Sequence, residues 1–178
     1  MKILAKVLLV MVLCFTASSV LASTADDPAT CAITCTVDGL MEWAGNFTDI
    51  DIVEHITEQN DQITGSGTAT LYTNDDVTIT ADNTATAQLD NDGASSDTLV
   101  TEYQLEYDGD GATATGGSTV AYTEYDTFLS SASAVTHISE DGAVVVTLTV
   151  RASNDAGNVA DSGAYSATQT LTAAWAGS

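Results

Sequence analysis

Two stretches of the chain alternate apolar and polar residues with a period of two, which belongs to β-strands rather than helices. In residues 99–107 (LVTEYQLEY), Leu99, Thr101, Tyr103, Leu105 and Tyr107 fall on one face, and Val100, Glu102, Gln104 and Glu106 on the other. In residues 143–152 (AVVVTLTVRA), Val144, Val146, Leu148 and Val150 oppose Val145, Thr147, Thr149 and Arg151. A strand of this kind buries one face and leaves the other wet. Weaker runs of Thr, Val, Ile and Tyr lie at residues 32–37, 40–47, 50–56, 68–73, 77–81 and 85–89. Asp-Gly pairs at 38/39, 92/93, 108/109, 110/111 and 141/142 mark turns or loops between the runs. No long stretch has helical periodicity, and Pro28 is the one proline. Short strands at fairly regular spacing predict an all-β fold, a two-sheet immunoglobulin-like β-sandwich over residues 31–178. Residues 113–118 (TATGGS) read as a loop, and the stretch from there to Ser133 has no clear pattern.

The N-terminus carries Lys2 and Lys6, an apolar run over residues 7–15, and a small-residue exit ending in Val20, Leu21 and Ala22. These three parts in this order predict a secretory signal peptide, residues 1–22, cut after Ala22, with residues 23–30 as a short N-terminal extension. The apolar run is too short to span about 30 Å of hydrocarbon, so a membrane anchor is not expected. The rest of the chain is long enough for one domain with a real core.

Charge narrows the choice of partners. The chain has 25 Asp and Glu against 3 Lys and Arg, a formal charge of −22. Removing Lys2 and Lys6 with the leader takes −22 to −24 and leaves Arg151 as the only basic residue among Lys and Arg. Nucleic acids and anionic lipids are held by clustered Lys and Arg, so neither is an expected partner. Crowded carboxylates also repel one another and raise the energy of the compact state, which salt or divalent ions would relieve.

Cys31 and Cys35 stand in CAITCTV. Export favours a disulfide between them. Residues four apart in a straight strand, however, are about 13 Å apart, whereas bridged α-carbons lie about 4.4–6.8 Å apart. Either the chain turns between them and the first strand starts after Cys35, or a strand begins at Cys31. In the second case Cys31, Ile33, Cys35 and Val37 share an apolar face, with the thiols free or paired with another chain.

No catalytic centre or cofactor is expected. His55 and His137 have no nucleophile motif attached to them. Asp90 and Asp92, and Asp108 and Asp110, sit in Asp-rich turns that could offer oxygen ligands to calcium. Neither turn is an EF-hand: the fifth positions are Ala94 and Ala112, and the twelfth are Thr101 and Thr119 rather than Glu.

The C-terminal run after Asp161-Ser-Gly-Ala-Tyr165 puts Tyr165, Ala167, Leu171, Ala173 and Trp175 on one side, together with a polar Gln169 that needs a partner. In immunoglobulin-like sandwiches a D-x-G-x-Y segment opens the next-to-last strand and sets its tyrosine at a corner between sheets. No further strand follows here, so residues 167–175 are expected to leave an open edge. That edge carries no charged residue between Tyr165 and Trp175.

The chain order of CAITCTV, LMEWAGNF, GTATLYTNDDVTIT, VTEYQLEYD, VTLTVRA and GAYSATQTLTA resembles the spore coat protein U family of secreted fimbrial subunits, which is similar to pilins of archaic chaperone-usher pili. The closest match is a G-x-Y-S-x-T-x-T-x-T pattern on Gly163, Tyr165, Ser166, Thr168, Thr170 and Thr172. The resemblance implies a non-enzymatic, self-associating subunit of an extracellular fibre, fimbria or coat, its sandwich completed by a strand from another copy. The expected donor is residues 30–37 through Ile33, Cys35 and Val37, and the expected acceptor is the edge bearing Tyr165, Leu171 and Trp175. The alternatives are a donor segment that folds back on its own chain, and a monomeric binding module for calcium, a glycan or a surface protein.

Overall fold

A computed structural model of the chain describes residues 30–93, 96–108, 116–137 and 142–177. The expected leader and most of the expected extension lie outside the described residues. The chain divides into two compact units, Met1–Val37 and Asp38–Ser178. The second unit, which begins at Asp38, holds all the strands of the described residues.

Its strands are β1 (Met41–Trp43), β2 (Gln62–Thr73), β3 (Val77–Ala81), β4 (Asp90–Asn91), β5 (Val100–Tyr107), β6 (Gly116–Gly117), β7 (Val120–Glu124), β8 (Ser133–Thr136), β9 (Ala143–Ser153), β10 (Tyr165–Ser166) and β11 (Leu171–Trp175). One sheet runs β1-β2-β9-β5-β7 and another β11-β3-β8-β6, with β10 and β4 as a short third ladder; every pairing is antiparallel. No helix among the described residues is long and apolar enough to cross a membrane.

The two main sheets share one core. Leu71, Leu105, Val144, Val146 and Leu148 from the first sheet cluster with Val77, Ile79 and Val135 from the second. These are the alternate residues that a period of two sends to one face. On the outer face of the first sheet Arg151 bonds Glu102 through Nη2 (2.6 Å) and Nε (2.8 Å). Its guanidinium also lies 4.1 Å from the centre of the Tyr122 ring, which ties β9, β5 and β7 together across their wet side.

The two strongest alternations and the run at 77–81 are strands, as expected. The weaker runs are corrected. Residues 32–37 and 50–56 form no strand, and of residues 40–47 only Met41–Trp43 does. The run at 68–73 belongs to a longer strand that starts at Gln62 and that Gly65 and Gly67 obscure in the sequence. Residues 85–89 contain a 3-10 helix, Ala85–Ala87, instead of a strand. The patternless stretch before Ser133 holds β7 and a turn over residues 125–129, and β8 begins at Ser133.

The 3-10 helix is fixed from below by Tyr103, whose buried hydroxyl donates to the Ala87 carbonyl (2.6 Å). Burial, reinforced by the Asp82 carboxylate, pushes the Tyr103 pKa up to about 12 from its ordinary 10.0. As pH rises the unfolded chain loses this proton first. The tyrosine's contribution is therefore complete below pH 10 and lost between about pH 10 and 12. Urea unfolding is expected to show stability falling across that window. Tyr103→Phe should reduce the fall while costing about 1 kcal/mol at neutral pH through the lost hydrogen bond. An equally steep alkaline decline in the variant would assign the transition to other groups.

Candidate functional site

Two sheet edges meet on one side of the sandwich. In the β11–β3 ladder the Asp82 amide donates to the Thr170 carbonyl (3.1 Å) and the Ala176 amide to the Asp76 carbonyl (2.9 Å). Antiparallel pairs alternate between hydrogen-bonded and non-bonded residues, so Thr172 and Ala174 are the bonded positions. The amides and carbonyls of Leu171 and Ala173 consequently face away from β3, along the outer edge. Their side chains point inward and are half-buried. β11 is the last strand of its sheet, with β3 on one side and no strand of the described residues on the other.

β1 forms the facing edge. The Ala44 amide donates to the Thr70 carbonyl (2.9 Å) and the Asn74 amide to the Leu40 carbonyl (3.2 Å), which by the same alternation turns the backbone of Met41 and Trp43 outward. Asn74 holds the start of this edge, because its side chain accepts from the Leu40 amide (2.7 Å) and donates to the Asp38 carbonyl (2.9 Å). Gly39 is small enough for the Trp175 ring to pack over it: a β-carbon there would lie 3.3 Å from the indole. The two edges are thus pinned together at this end.

Beyond β1 they part. A crevice of about 700 Å³ runs between residues 43–52 and residues 165–171 over Leu89, Tyr103, Leu148 and Val150. A second cleft of about 750 Å³, which shares Ile52, Leu89 and Tyr165 with the first, lies between residues 52–59 and 159–165, with Leu99 and Ala152 among the residues beneath. The shared wall is the irregular segment 48–61. Its Thr48 amide donates to Thr68 (3.1 Å), and its far end is latched by Asp61, whose carboxylate accepts from the Thr57 amide (2.7 Å), the Thr57 hydroxyl (2.9 Å) and the Glu58 amide (2.7 Å). Those donors, the Thr57 amide foremost, hold the Asp61 carboxyl below the usual carboxylate range. Buried Asn154 at the end of β9 adds a second latch, accepting from the Ala160 amide (3.1 Å) and donating toward the Gln59 carbonyl (3.4 Å).

The opposite wall starts at a tyrosine corner. The Tyr165 hydroxyl donates to the Asp161 carbonyl (2.7 Å), four residues upstream, and Tyr165 pairs with Asn91 in the β10–β4 ladder. The expected continuous strand over 167–175 is broken at residues 167–170, where the Thr168 amide turns to the Thr86 carbonyl (2.6 Å). Gln169 marks the break: its side-chain oxygen accepts from the Thr170 amide (3.0 Å), and its buried Nε2 has no partner. Tyr165, Leu171 and Trp175 are each half-buried, Tyr165 in the β10–β4 ladder and the other two in β11.

The other sequence candidates fall elsewhere. Ile33 and Val37 are 89% and 81% exposed, in a stretch with no helix, strand, turn or bend from Thr30 to Leu40. Cys31 and Cys35 are both exposed and free, so the local disulfide is not formed. The reason is the one the spacing raised, since no turn brings residues four apart together. The Asp-rich turns have partners within the fold: Asp92 accepts from the Ser166 hydroxyl (2.5 Å) and Asp108 from the Val145 amide (3.0 Å), while Asp90 pairs with Ser166 in β4. Asp110 lies outside the described residues. No group of three or more His, Cys, Asp or Glu among the described residues could hold a metal ion. His55 lines the second cleft, and the His137 amide bonds Asp76 (2.9 Å) after β8.

The wall at 48–61 and the latches of Asn74 and Asn154 are absent from the sequence candidates. The paired glycines Gly65 and Gly67 inside a Thr-rich run are the signal that could have pointed to them. No protein-family model, curated protein or solved structure matches the chain.

Proposed function

We propose that this protein is an exported, non-enzymatic structural subunit of an extracellular fibre, fimbria or coat, assembled by β-strand addition. Residues 30–37 of one copy pair with the outer edge of β11 in the next. The observation that carries this reading is that β11 ends its sheet on an edge with no charged residue to guard it. Exposed edges are normally blocked by charge, proline or cover, and carboxylates abound in this chain. Residues 30–37 (TCAITCTV) support the reading from the donor side. They too carry no charge, belong to none of the sheets, and alternate Cys31, Ile33, Cys35 and Val37 with residues 32, 34 and 36. Two uncharged strand-forming stretches can pair without bringing like charges together.

The test is Ile33→Asp in the full chain, followed by electron microscopy and sedimentation of the secreted protein. The wild type should form linear assemblies and the variant should remain a folded monomer. A wild type that stays strictly monomeric, or a variant that assembles as well as wild type, rejects strand addition. Monomeric wild type that binds a glycan or calcium would instead favour a binding module.

A further inference from the structure

An acceptor groove that stood open would leave its floor exposed, yet the floor here is covered. Leu148, Val150 and Tyr103 are only 4%, 6% and 3% exposed. The residues that cover this side of the core come from the wall segment itself, where Ile50, Ile52 and Ile56 pack against the core cluster. Two of them are seated in a notch in β2. A β-carbon on Gly65 would lie 2.7 Å from Ile50 Cγ2 and 2.9 Å from Ile52 Cγ1, and one on Gly67 would meet the Thr48 carbonyl and Ile50 Cγ1 (3.0 Å). Glycine at both positions is what lets the segment lie so close.

We propose that residues 48–56 form a displaceable cover on the acceptor surface, occupying in the free subunit the place that a second copy's residues 30–37 take on assembly. This rests on the strand-addition reading. Ile50 and Ile52 are two residues apart, as are Cys31, Ile33, Cys35 and Val37, so the incoming segment presents apolar side chains at the spacing the notch already receives. The cover is held differently from a strand. Apart from two bonds at its first residue, the Thr48 amide to the Thr68 carbonyl (3.1 Å) and the Thr68 amide to the Thr48 hydroxyl (3.0 Å), it belongs to no ladder before the Thr57–Asp61 latch, so beyond Thr48 it is side-chain packing that must be exchanged when it leaves. It also carries Asp49, Asp51 and Glu54, whereas residues 30–37 carry no charge. Replacing one by the other takes three carboxylates off the acceptor surface, which favours the exchange in so acidic a protein.

A disulfide between Ile52→Cys and Gly65→Cys, made together with Ile50→Ala to clear the Cγ2 that a Gly65 β-carbon would meet at 2.7 Å, would lock the cover, because the β-carbon built on Gly65 is 3.7 Å from the Ile52 α-carbon, compatible with a bridge. The acceptor protein also carries Ile33→Asp, Cys31→Ser and Cys35→Ser, which prevent self-donation and mispairing. The probe is a fluorescent peptide of residues 30–37 with serine at both cysteine positions. Locking the cover should weaken peptide binding at least about tenfold, and reductant should restore it, since affinity scales with the fraction of uncovered acceptor. If the locked protein does not fold, Ile50→Ala alone serves in the opposite sense: a loosened cover should speed peptide association several-fold, roughly as the uncovered population grows. Equal binding by locked and reduced protein, or no acceleration by Ile50→Ala, overturns the cover while leaving strand addition standing. No peptide binding by the unlocked acceptor overturns both.

Discussion

Replacing Phe128 with alanine is expected to destabilise the sandwich by about 3–5 kcal/mol, the cost of removing a fully buried aromatic side chain and leaving a cavity. Phe128 is the largest fully buried side chain among the described residues, although it sits in a turn. Its ring centre lies 5.5 Å from that of Tyr103, tilted by 36°, so the turn contributes an aromatic pair to the core. The turn cannot easily collapse to fill the space. The Tyr125 amide is bonded to the Thr101 carbonyl (3.0 Å) and the Phe128 amide to Glu124 (2.9 Å), while Leu129 is held at φ 51°. A β-branched or bulky residue in that left-handed region is strained, and packing must hold it there. Urea unfolding of Phe128→Ala checks the value, with Val145→Ala on the outer face of β9 as a control expected within about 0.5 kcal/mol of wild type. A loss under about 1 kcal/mol for Phe128→Ala would mean that the turn is not part of the core.

The second large effect expected is on salt. The exported chain would carry 25 carboxylates against Arg151, and that arginine is already bound to Glu102. Raising sodium chloride from about 10 mM to 1 M shortens the screening length from about 30 Å to 3 Å, which removes most repulsion between exposed carboxylates. Relief of a few kcal/mol should raise the melting temperature on the order of 10 °C for a domain of this size. Calcium at matched ionic strength separates screening from a discrete site, because only a site would add a further increment at low concentration. A melting temperature that does not move between low and molar salt would show that self-repulsion is negligible.

The period of two in residues 99–107 and 143–152 was enough to assign both faces of β5 and β9, since pleating sends alternate side chains to opposite sides whatever the neighbours are. The uncharged run from Tyr165 to Trp175 and the D-x-G-x-Y signal likewise led to β11 and the tyrosine corner. Composition alone set the charge. The same alternation misled at residues 50–56. Ile50, Ile52 and Ile56 are half-buried against the core as a strand's inner face would be, but the backbone has no ladder, because the segment leaves the edge of β2 after Thr48 and crosses onto the notch at Gly65 and Gly67. Alternation determines which side chains seek the interior, not which neighbour supplies their backbone hydrogen bonds. For the same reason residues 32–37 alternate but pair with nothing in the described chain, and Phe128 becomes core from a turn that no periodicity marks. Those outcomes depend on contacts between residues far apart in sequence, such as Tyr103 with Phe128 and Gly65 with Ile52, and only the folded arrangement of the sheets decides them.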